Sequence, residues 1–408
     1  MIPVNTLLVC LILSLACLGC AQQSASQSSQ PGKAGSVQWQ VNKMSSVLDS
    51  TSPSLFQVQP VALKSDTNLE AVYFLDELHG WVGGSQKVYR TDDGGKTWDE
   101  TKLDVPSGGI LRDILFEDAS NGWITIQKDS SYILDYPEYR VGIMHTSDGG
   151  KSWATQLSET LASGIRIAFS DKENGWLVGI KYIRGKGVHF QPLVLRTTNH
   201  GENWQDVSAN LVQVSSDQND SFGDPINEGL AGIAVQNHSE AIVMSTNMRL
   251  FKTRDGGGTW QQIGSMGNPD QQAGVRRFGL NNGQLWWVAG TDGVEGIRGL
   301  LAAGEETGHT WSSSELSGVC FAGAVSIAKG EFIVVGHTRG TKQGGLTGRA
   351  GIVLYSDDWG HNWETIYKDQ SAGGITGLSV VKREVWAVTD AGVLLHLTPP
   401  VVTTRSHN

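Results

Sequence analysis

The sequence predicts an all-β protein, a seven-bladed β-propeller made of four-stranded antiparallel blades. Three observations lead to this prediction: a glycine-rich corner recurs along the chain, its period is nearly fixed, and a second hairpin motif precedes it in the early units. The corners end at Trp98, Trp153, Trp204, Trp260, Trp311 and Trp363, which are 51 to 56 residues apart. A period of this length is typical of stacked supersecondary units, and 408 residues are enough for a ring of them.

The corner reads FKTRDGGGTW at 251–260, and its relatives are YRTDDGGKTW (89–98), MHTSDGGKSW (144–153), LRTTNHGENW (195–204) and LYSDDWGHNW (354–363). Asp or Asn can accept hydrogen bonds from the N–H groups of the turn, and glycine supplies a positive φ. The closing tryptophan begins the next strand and can fold its ring over the turn. We therefore expect a structural role for Asp93, Trp98, Asp148, Trp153, Asn199, Trp204, Asp255, Trp260, Asp358 and Trp363.

The second motif is a hairpin in which Trp follows Phe by seven residues, as in Phe74 to Trp81, Phe116 to Trp123 and Phe169 to Trp176. Two hairpins in series make one four-stranded blade. Six units end in a corner, and a seventh, 377–398, supplies only three strands. We expect its fourth strand to come from residues 36–43, because pairing the two ends of the chain closes the ring and removes its exposed edges.

The N-terminus is expected to direct export. The apolar run Leu7–Leu18 is too short to span a bilayer, but it suits the core of a signal peptide. Gly19 before Cys20 resembles a bacterial lipoprotein cleavage box, so we expect lipid on Cys20, with Cys17 as the rival site. These features predict a protein of the bacterial cell envelope, anchored to a membrane by lipid and facing the periplasm or the exterior. The expected order is a signal peptide at 1–19, a flexible tether at 20–37, the propeller at 38–398 and a tail at 399–408.

Insertions in the repeat are predicted to lie on one face. Strand direction alternates within a blade, so the loops between the second and third strands share a face with the crossovers between blades. The long insertions are 127–140, 180–192, 206–229, 290–299 and 337–349. Long loops gathered on one face usually mark the binding face. The aromatic and basic residues there are our candidates for contact with a partner: Tyr136, Tyr139, Arg140, Tyr182, Arg184, Lys186, His189, Arg298, Arg339, Lys342 and Arg349.

The sequence gives little support for binding of nucleic acid, phosphate or metal. The net charge of −10 argues against a nucleic-acid partner. The Gly-Lys-Ser/Thr triplets lack the earlier glycine of a phosphate-binding loop, and the ten histidines show no zinc-ligand spacing. We therefore expect no cofactor, no metal and no catalytic residues.

The corner pattern Ser/Thr-x-Asp-x-Gly-x-x-Trp is similar to the Asp-box, or BNR, repeat. Among Asp-box propellers, residues 38–398 resemble the photosystem II assembly/stability factor type, whose units read F-x-D-x-x-x-G-W and T-x-D-G-G-x-T-W. The resemblance implies a noncatalytic, lipid-anchored scaffold that binds a protein client through arginines. Candidates for that role are Arg184, Arg298, Arg339 and Arg349.

An alternative function is that of a propeller that binds or hydrolyses glycans, similar to sialidases and xyloglucanases. A glycosidase needs two carboxylates roughly 5–10 Å apart at the mouth of the channel. The loop acids that could supply them are Asp135, Glu138, Asp224, Glu228, Asp292 and Glu295.

Overall fold

The computed structural model describes residues 38–44, 56–61, 63, 68–105, 109–133, 136–185, 187–215, 228–265, 274–281, 283–293, 296–305, 310–341, 347–370 and 372–399. The described chain is nearly all strand and forms seven four-stranded antiparallel blades in a ring. The predicted fold is therefore confirmed. No helix among these residues has the length and apolar character that crossing a membrane requires.

The strands are numbered in chain order, and within each blade they run from the axis outward. Two strands precede the first blade: β1 (Gln38–Met44) and β2 (Gln57–Val61). Blade 1 contains β3 (Leu69–Phe74), β4 (Gly80–Gly84), β5 (Lys87–Thr91) and β6 (Asp99–Lys102). Blade 2 contains β7 (Gly109–Phe116), β8 (Gly122–Ile133), β9 (Tyr136–Thr146) and the first part of β10 (Ala154–Phe169). The second part of β10 is the inner strand of blade 3, so one continuous strand joins the two blades.

The remaining blades follow the same order. Blade 3 continues with β11 (Gly175–Gly185), β12 (Gly187–Thr197), β13 (Gln205–Asp206) and the helix α1 (Ser208–Ser215). Blade 4 contains β14 (Leu230–Val235), β15 (Ala241–Ser245), β16 (Arg249–Thr253) and β17 (Gln261–Ser265). Blade 5 contains β18 (Gly274–Asn281), β19 (Gln284–Gly293), β20 (Gly296–Glu305) and β21 (Thr310–Ser317). Blade 6 contains β22 (Cys320–Ala328), β23 (Glu331–Thr341), β24 (Thr347–Ser356) and β25 (Glu364–Asp369), and blade 7 contains β26 (Ile375–Val381), β27 (Glu384–Thr389) and β28 (Leu394–Thr398).

A strand from the N-terminal region closes the ring, but it is not the segment that the sequence suggested. β2 pairs antiparallel with β28, from Gln57 opposite Thr398 to Val61 opposite Leu394. The prediction of residues 36–43 was wrong, because β1 instead pairs in parallel with β21 of blade 5. The physical reason is chain length: β2 ends only a few residues before β3, the short connection that joins an outer strand to the next inner strand.

Aromatic stacking between neighbouring blades holds the ring together. The indole of Trp81 in blade 1 stacks on Phe116 of blade 2, with ring centroids 3.5 Å apart. The same pair recurs as Trp123 with Phe169, at 4.0 Å, between blades 2 and 3. Trp386 of blade 7 stacks on Phe74 of blade 1 at 4.1 Å, which seals the closing joint. The second hairpin motif is therefore the inter-blade contact of the core.

The long insertions are mostly strand rather than loop. In blades 2, 3, 5 and 6 the two middle strands are 10 to 12 residues long, whereas in blades 1, 4 and 7 they are five or six residues long. Trp81, Trp123 and Trp176 are each the second residue of their strand, so the extra residues extend the opposite end. Five extra residues make a hairpin roughly 17 Å taller.

The predicted insertion at 206–229 is also partly regular. Its first residues form α1, which packs beside β12: the Ser208 hydroxyl accepts a hydrogen bond of 2.8 Å from the Val194 N–H, and Leu211 is fully buried. This part lies along the outer edge of blade 3, because the outer strand β13 has only two residues. Residues 216–227 lie outside the described residues.

Candidate binding face at the mouth of the channel

The Asp-box corners build one face of the ring. Asp93 Oδ1 accepts hydrogen bonds from the Thr91 hydroxyl at 2.8 Å and from the N–H groups of Lys96 and Thr97 at 3.0 and 2.9 Å. Trp98 Nε1 donates to the Gly95 carbonyl at 3.0 Å, so its ring folds back over the turn. The hydrogen bonds, led by that from the Thr97 hydroxyl, lower the pKa of Asp93 to about 2.

The other corners repeat this arrangement. Asp148, Asn199, Asp255 and Asp358 each accept a hydrogen bond from the Ser or Thr hydroxyl two residues earlier, at 2.7 to 3.0 Å. Each corner also contacts the first hairpin turn of its own blade, as in the Gly94 N–H donating to the Leu78 carbonyl. The first turn and the corner therefore share a face, which we call the corner face. The tall middle hairpins end on the opposite face, which we call the hairpin face.

Charged side chains line the inner strands near the hairpin face. All seven inner strands carry a register shift near their first residues. A bulge leaves one residue out of the ladder and redirects the side chains beside it. The charged residues at or next to these bulges are Glu70, Arg112, Asp113, Arg166, Arg276 and Arg277.

These residues connect blades across the channel. Arg166 of blade 3 donates from Nη2 to the Arg276 carbonyl of blade 5, at 3.1 Å. Arg277 Nη1 of blade 5 lies 3.9 Å from Asp113 Oδ1 of blade 2. Blade 4 supplies only Ala231 and Gly232 at the equivalent positions, which leaves room for these contacts. The channel mouth therefore contains guanidinium groups held in place by backbone and carboxylate oxygens.

Burial shapes the electrostatics of this mouth. Burial, together with the nearby Arg277 guanidinium, lowers the pKa of Arg166 to about 10. Because this value is still well above 7, the side chain is charged at neutral pH. Its Nε is buried and has no hydrogen-bond partner among the described residues. Burial raises the pKa of Glu70, against the opposing effect of Arg112, whose Nη1 lies 3.4 Å from Glu70 Oε2.

A second cluster lies where the hairpins of blades 5 and 6 meet. Asp292 Oδ2 is 3.2 Å from His337 Nε2, and Asp292 Oδ1 is 3.3 Å from Arg339 Nη2. Arg349 lies 3.9 Å from Asp292 and 3.7 Å from Asp390. Burial alone would raise the pKa of Asp292, but the hydrogen bond from His337 and the Arg339 guanidinium outweigh it and lower that pKa. Nearly half of each arginine side chain stays exposed to solvent.

The structure brings together only some of the predicted contact residues. Arg339 and Arg349 meet at Asp292, and Arg298 lies on β20 opposite Thr291. The Tyr182 hydroxyl is 2.9 Å from the Ser163 hydroxyl on β10. Lys186 and Lys342 lie outside the described residues, as does Cys20. For the following residues only the backbone position in a strand is described: Tyr136, Tyr139, Arg140, Arg184 and His189.

Sequence reasoning missed the arginines of the inner strands. Arg112 and Arg166 come four and three residues before the phenylalanines of ILRDILF and GIRIAF. Arg276 and Arg277 stand in VRRFGL, which is likewise an inner strand. The signal was a cation that interrupts an apolar strand at nearly the same position of the repeat. Loop length alone does not reveal this signal.

The acids considered for glycoside hydrolysis do not form a catalytic pair among the described residues. Glu228 is almost fully buried and makes a bidentate ion pair with Arg249. Asp292 is held by His337 and Arg339. Asp135, Asp224 and Glu295 lie outside the described residues, and only the backbone of Glu138 is described. In the described part of the chain, no three His, Cys, Asp or Glu side chains are grouped so that they could hold a metal ion.

Comparison with known proteins places the chain among similar propellers. A family model described as photosynthesis system II assembly factor YCF48 matches residues 51–164. The chain is 24% identical over 318 residues to the photosystem II assembly lipoprotein Ycf48 of Synechococcus sp. (strain CC9902), covering 75% of this chain and 77% of that protein. It is 27% identical over 156 residues to the protein of the same name from Prochlorococcus marinus, covering 30% of this chain and 45% of that one.

Solved structures agree on the fold. A structure titled "YCF48 bound to D1 peptide" superposes with a TM-score of 0.54 at 18% identity, covering 85% of this chain and 97% of that one. YCF48 from Cyanidioschyzon merolae gives a TM-score of 0.56 at 15% identity, covering 85% and 99% of the two chains. Together with the repeat and the ring, these likenesses identify the chain as an Asp-box (BNR) β-propeller that resembles the photosystem II assembly factors.

Proposed function

We propose that this protein is a noncatalytic, membrane-tethered scaffold that binds a protein partner through the hairpin face. The observation that carries the proposal is the charge of the channel mouth. Six arginines and four carboxylates lie on the inner strands near the mouth or on the adjoining hairpins of blades 5, 6 and 7, in a chain whose net charge is −10: the arginines are Arg112, Arg166, Arg276, Arg277, Arg339 and Arg349, and the acids are Glu70, Asp113, Asp292 and Asp390. A local excess of fixed cations on an acidic protein favours an acidic partner.

The shape of the rim suggests how a partner lies there. Blades 2 and 3 carry adjacent tall hairpins, and so do blades 5 and 6, whereas the described hairpins of blades 1, 4 and 7 are short. In this proposal the two tall pairs flank the mouth: the inner-strand arginines lie between them, and Arg339 and Arg349 lie on the tall hairpin of blade 6. Such a space fits an extended acidic segment better than a flat protein surface. The solved relative that is titled as bound to a D1 peptide supports a peptide-like ligand.

The membrane tether is the second part of the proposal. The Synechococcus and Prochlorococcus relatives are both named lipoproteins. In this chain, Gly19-Cys20 follows the apolar run, so we assign the lipid to Cys20. The scaffold would then stand on the outer side of the membrane across which it is exported.

Charge reversal tests the binding face. A fluorescent peptide of ten glutamates is titrated into the wild-type protein and into Arg339→Glu/Arg349→Glu, and anisotropy reports binding. We expect the double variant to bind at least tenfold more weakly, because each arginine is about half exposed at the mouth. The matched control is Lys172→Glu/Lys382→Glu, which reverses two exposed cations on the corner face. Equal losses in both double variants would contradict the proposal.

A further inference from the structure

Strand β1 lies outside the sevenfold pattern of the ring. It pairs in parallel with β21 over seven residues, from Gln38 opposite Thr310 to Met44 opposite Leu316, with no register shift. Every other strand pair in the described chain is antiparallel. β1 is therefore an addition to blade 5 and not one of the four strands that the repeat supplies.

The ring does not need β1 for closure. β2 already supplies the fourth strand of blade 7, and blade 5 has its own four strands before β1 is added. The stacked pair of Trp386 and Phe74 seals the closing joint at a distance from blade 5. Removing β1 from its position would therefore leave all seven four-stranded blades intact.

The edge that β1 covers is well suited to hold a strand. β21 has eight residues, whereas the outer strands of blades 1, 3, 4, 6 and 7 have only two to six. A long outer strand presents a row of N–H and C=O groups, which is a template for pairing with another strand. Without β1, blade 5 would expose an eight-residue template; the outer part of β10 in blade 2 is as long, but its ladder carries two register shifts.

We propose that residues 38–44 form a releasable strap docked on a strand-acceptor site, the outer edge of β21. An edge strand that pairs along one side only and lies outside the closed ring is the kind of element that can open locally without unfolding the whole domain. Release breaks the pairing between β1 and β21 and leaves the edge of blade 5 free. The natural occupant of the acceptor site is the chain's own N-terminal segment.

Release would change the length of the tether, a consequence that rests on the proposed lipid at Cys20. With the strap docked, residues 21–37 separate the anchor from the ring, whereas after release the separating segment is 21–56. At roughly 3.5 Å per residue, the greatest span rises from about 60 Å to about 125 Å. The strap would thus set how far the hairpin face can stand from the membrane.

A peptide supplied in trans tests the acceptor site directly. In the full chain, Gln40→Pro/Val41→Pro removes two adjacent N–H groups and breaks the strap in either ladder register. A labelled peptide of residues 36–46, SVQWQVNKMSS, is then titrated in by anisotropy. We expect it to bind the strap variant at least tenfold more tightly than the wild type, in which the site is occupied. The control Gln27→Pro/Ser28→Pro, in the predicted tether, should behave as the wild type does.

Two further measurements can contradict the proposal. A peptide with proline at positions 40 and 41 should not bind, and the thermal midpoint of the strap variant should stay within a few degrees of that of the wild type. Failure of SVQWQVNKMSS to bind the folded strap variant would overturn the acceptor site, and loss of the folded ring would show that β1 is integral. Neither result depends on lipid, so both are separable from failure of the membrane anchor.

Discussion

Trp81 lies flat against Phe116 of the next blade, with ring centroids 3.5 Å apart and an interplanar angle of 7°. Trp81 Nε1 also donates a hydrogen bond of 2.8 Å to the Gly149 carbonyl, in the corner of that same blade. One side chain therefore anchors both the core contact and the corner of its neighbour. The tryptophan of the first hairpin joins the blades, and the tryptophan of the corner covers its own turn.

Trp81→Ala should destabilise the ring strongly. It removes a fully buried indole from the joint between blades 1 and 2, and large-to-small changes of this kind cost about 3–5 kcal/mol. Urea unfolding monitored by circular dichroism measures the loss. The matched control is Trp98→Ala, which removes a less buried indole from a corner and should cost less. Equal costs would contradict the assignment of the blade contact to Trp81.

Removing Glu228 alone should destabilise the protein more than replacing both Glu228 and Arg249 with apolar residues. Both side chains are nearly inaccessible to solvent, at 2% and 7% exposure. Glu228→Ala leaves a guanidinium buried without its partner, and we expect a loss of about 3–5 kcal/mol. Glu228→Met/Arg249→Met should recover most of it, as measured by chemical denaturation. A double variant as unstable as the single one would show that the pair itself is required.

We expect the corners to depend on hydrogen bonding more than on charge. Asp148→Ala removes the acceptor of the Ser152 N–H and hydroxyl, at 2.9 and 2.6 Å, and should cost about 1–2 kcal/mol. Asp148→Asn should cost less, because Asn199 occupies the same position in blade 3 and still accepts from Thr197. Thermal unfolding of the two variants compares them. If Asp148→Asn destabilised the protein as much as Asp148→Ala, the charge of Asp148 would contribute more than its hydrogen bonds to the stability of the corner.

The same contacts predict sensitivity to strong acid. Burial alone would raise the pKa of Asp148, but the hydrogen bonds from Ser152 and Thr146 outweigh it and lower that pKa to about 2. Because the folded pKa lies below the ordinary 3.8, this stabilisation is complete above pH 3.8 and is lost as the pH falls towards about 2. Thermal midpoints measured between pH 5 and pH 2 should fall more steeply for the wild type than for Asp148→Asn.

The joint between blades 2 and 3 should weaken at a milder pH. His145 faces His200 with ring centroids 5.2 Å apart; His145 Nε2 is buried without a hydrogen-bond partner among the described residues, and His200 Nε2 lies 3.9 Å from Glu117 Oε2. Burial and the nearby His200 lower the pKa of His145 from its ordinary 6.5. Since the unfolded chain binds this proton more readily, stability is full above pH 6.5 and falls as the pH drops below it. Glu117 lies beside His200, and the charges nearest Glu117 are Asp118, Asp171 and Lys172.

A glutamine substitution isolates this effect. His145→Gln removes the titration, so its thermal midpoint should fall less between pH 7.5 and pH 5.5 than that of the wild type. His238→Gln, which changes an exposed histidine on the corner face, serves as the control and should keep the wild-type pH dependence. If the thermal midpoint of His145→Gln fell as much as that of the wild type, a group other than His145 would cause the pH dependence.

The sequence predicted the repeat well because each unit repeats the same local chemistry. The local backbone is restricted by the Phe–Trp hairpins, such as Phe116 to Trp123, and by the corner glycines. The number of blades and the order of strands therefore follow from the spacing of these motifs. The closing strand could not be assigned in this way, because β1 and β2 both mix polar and apolar residues and either could pair with an edge. The link between Arg166 and Arg276 was equally hidden, since residues 110 positions apart meet only when the ring closes.

The proposed anchor has its own test. Cys20→Ala should move the protein from the membrane fraction to the soluble fraction, because a single Cys carries the lipid in this proposal. Fractionation followed by immunoblotting measures the distribution, with Cys17→Ala as the matched control that should remain on the membrane. Unchanged partitioning of Cys20→Ala, or release by Cys17→Ala, would refute Cys20 as the lipid site.

Site-specific crosslinking tests the binding face most directly. Leu78 and Ile183 are the two exposed large hydrophobic residues of the described chain, and they lie on opposite faces: Leu78 on the corner face and Ile183 near the end of β11 on the hairpin face. A photoreactive phenylalanine analogue is placed at either position in the membrane-anchored protein and irradiated in cells. We predict partner crosslinks from position 183 that disappear in Arg339→Glu/Arg349→Glu, and none from position 78. Crosslinks from position 78 alone would contradict the account.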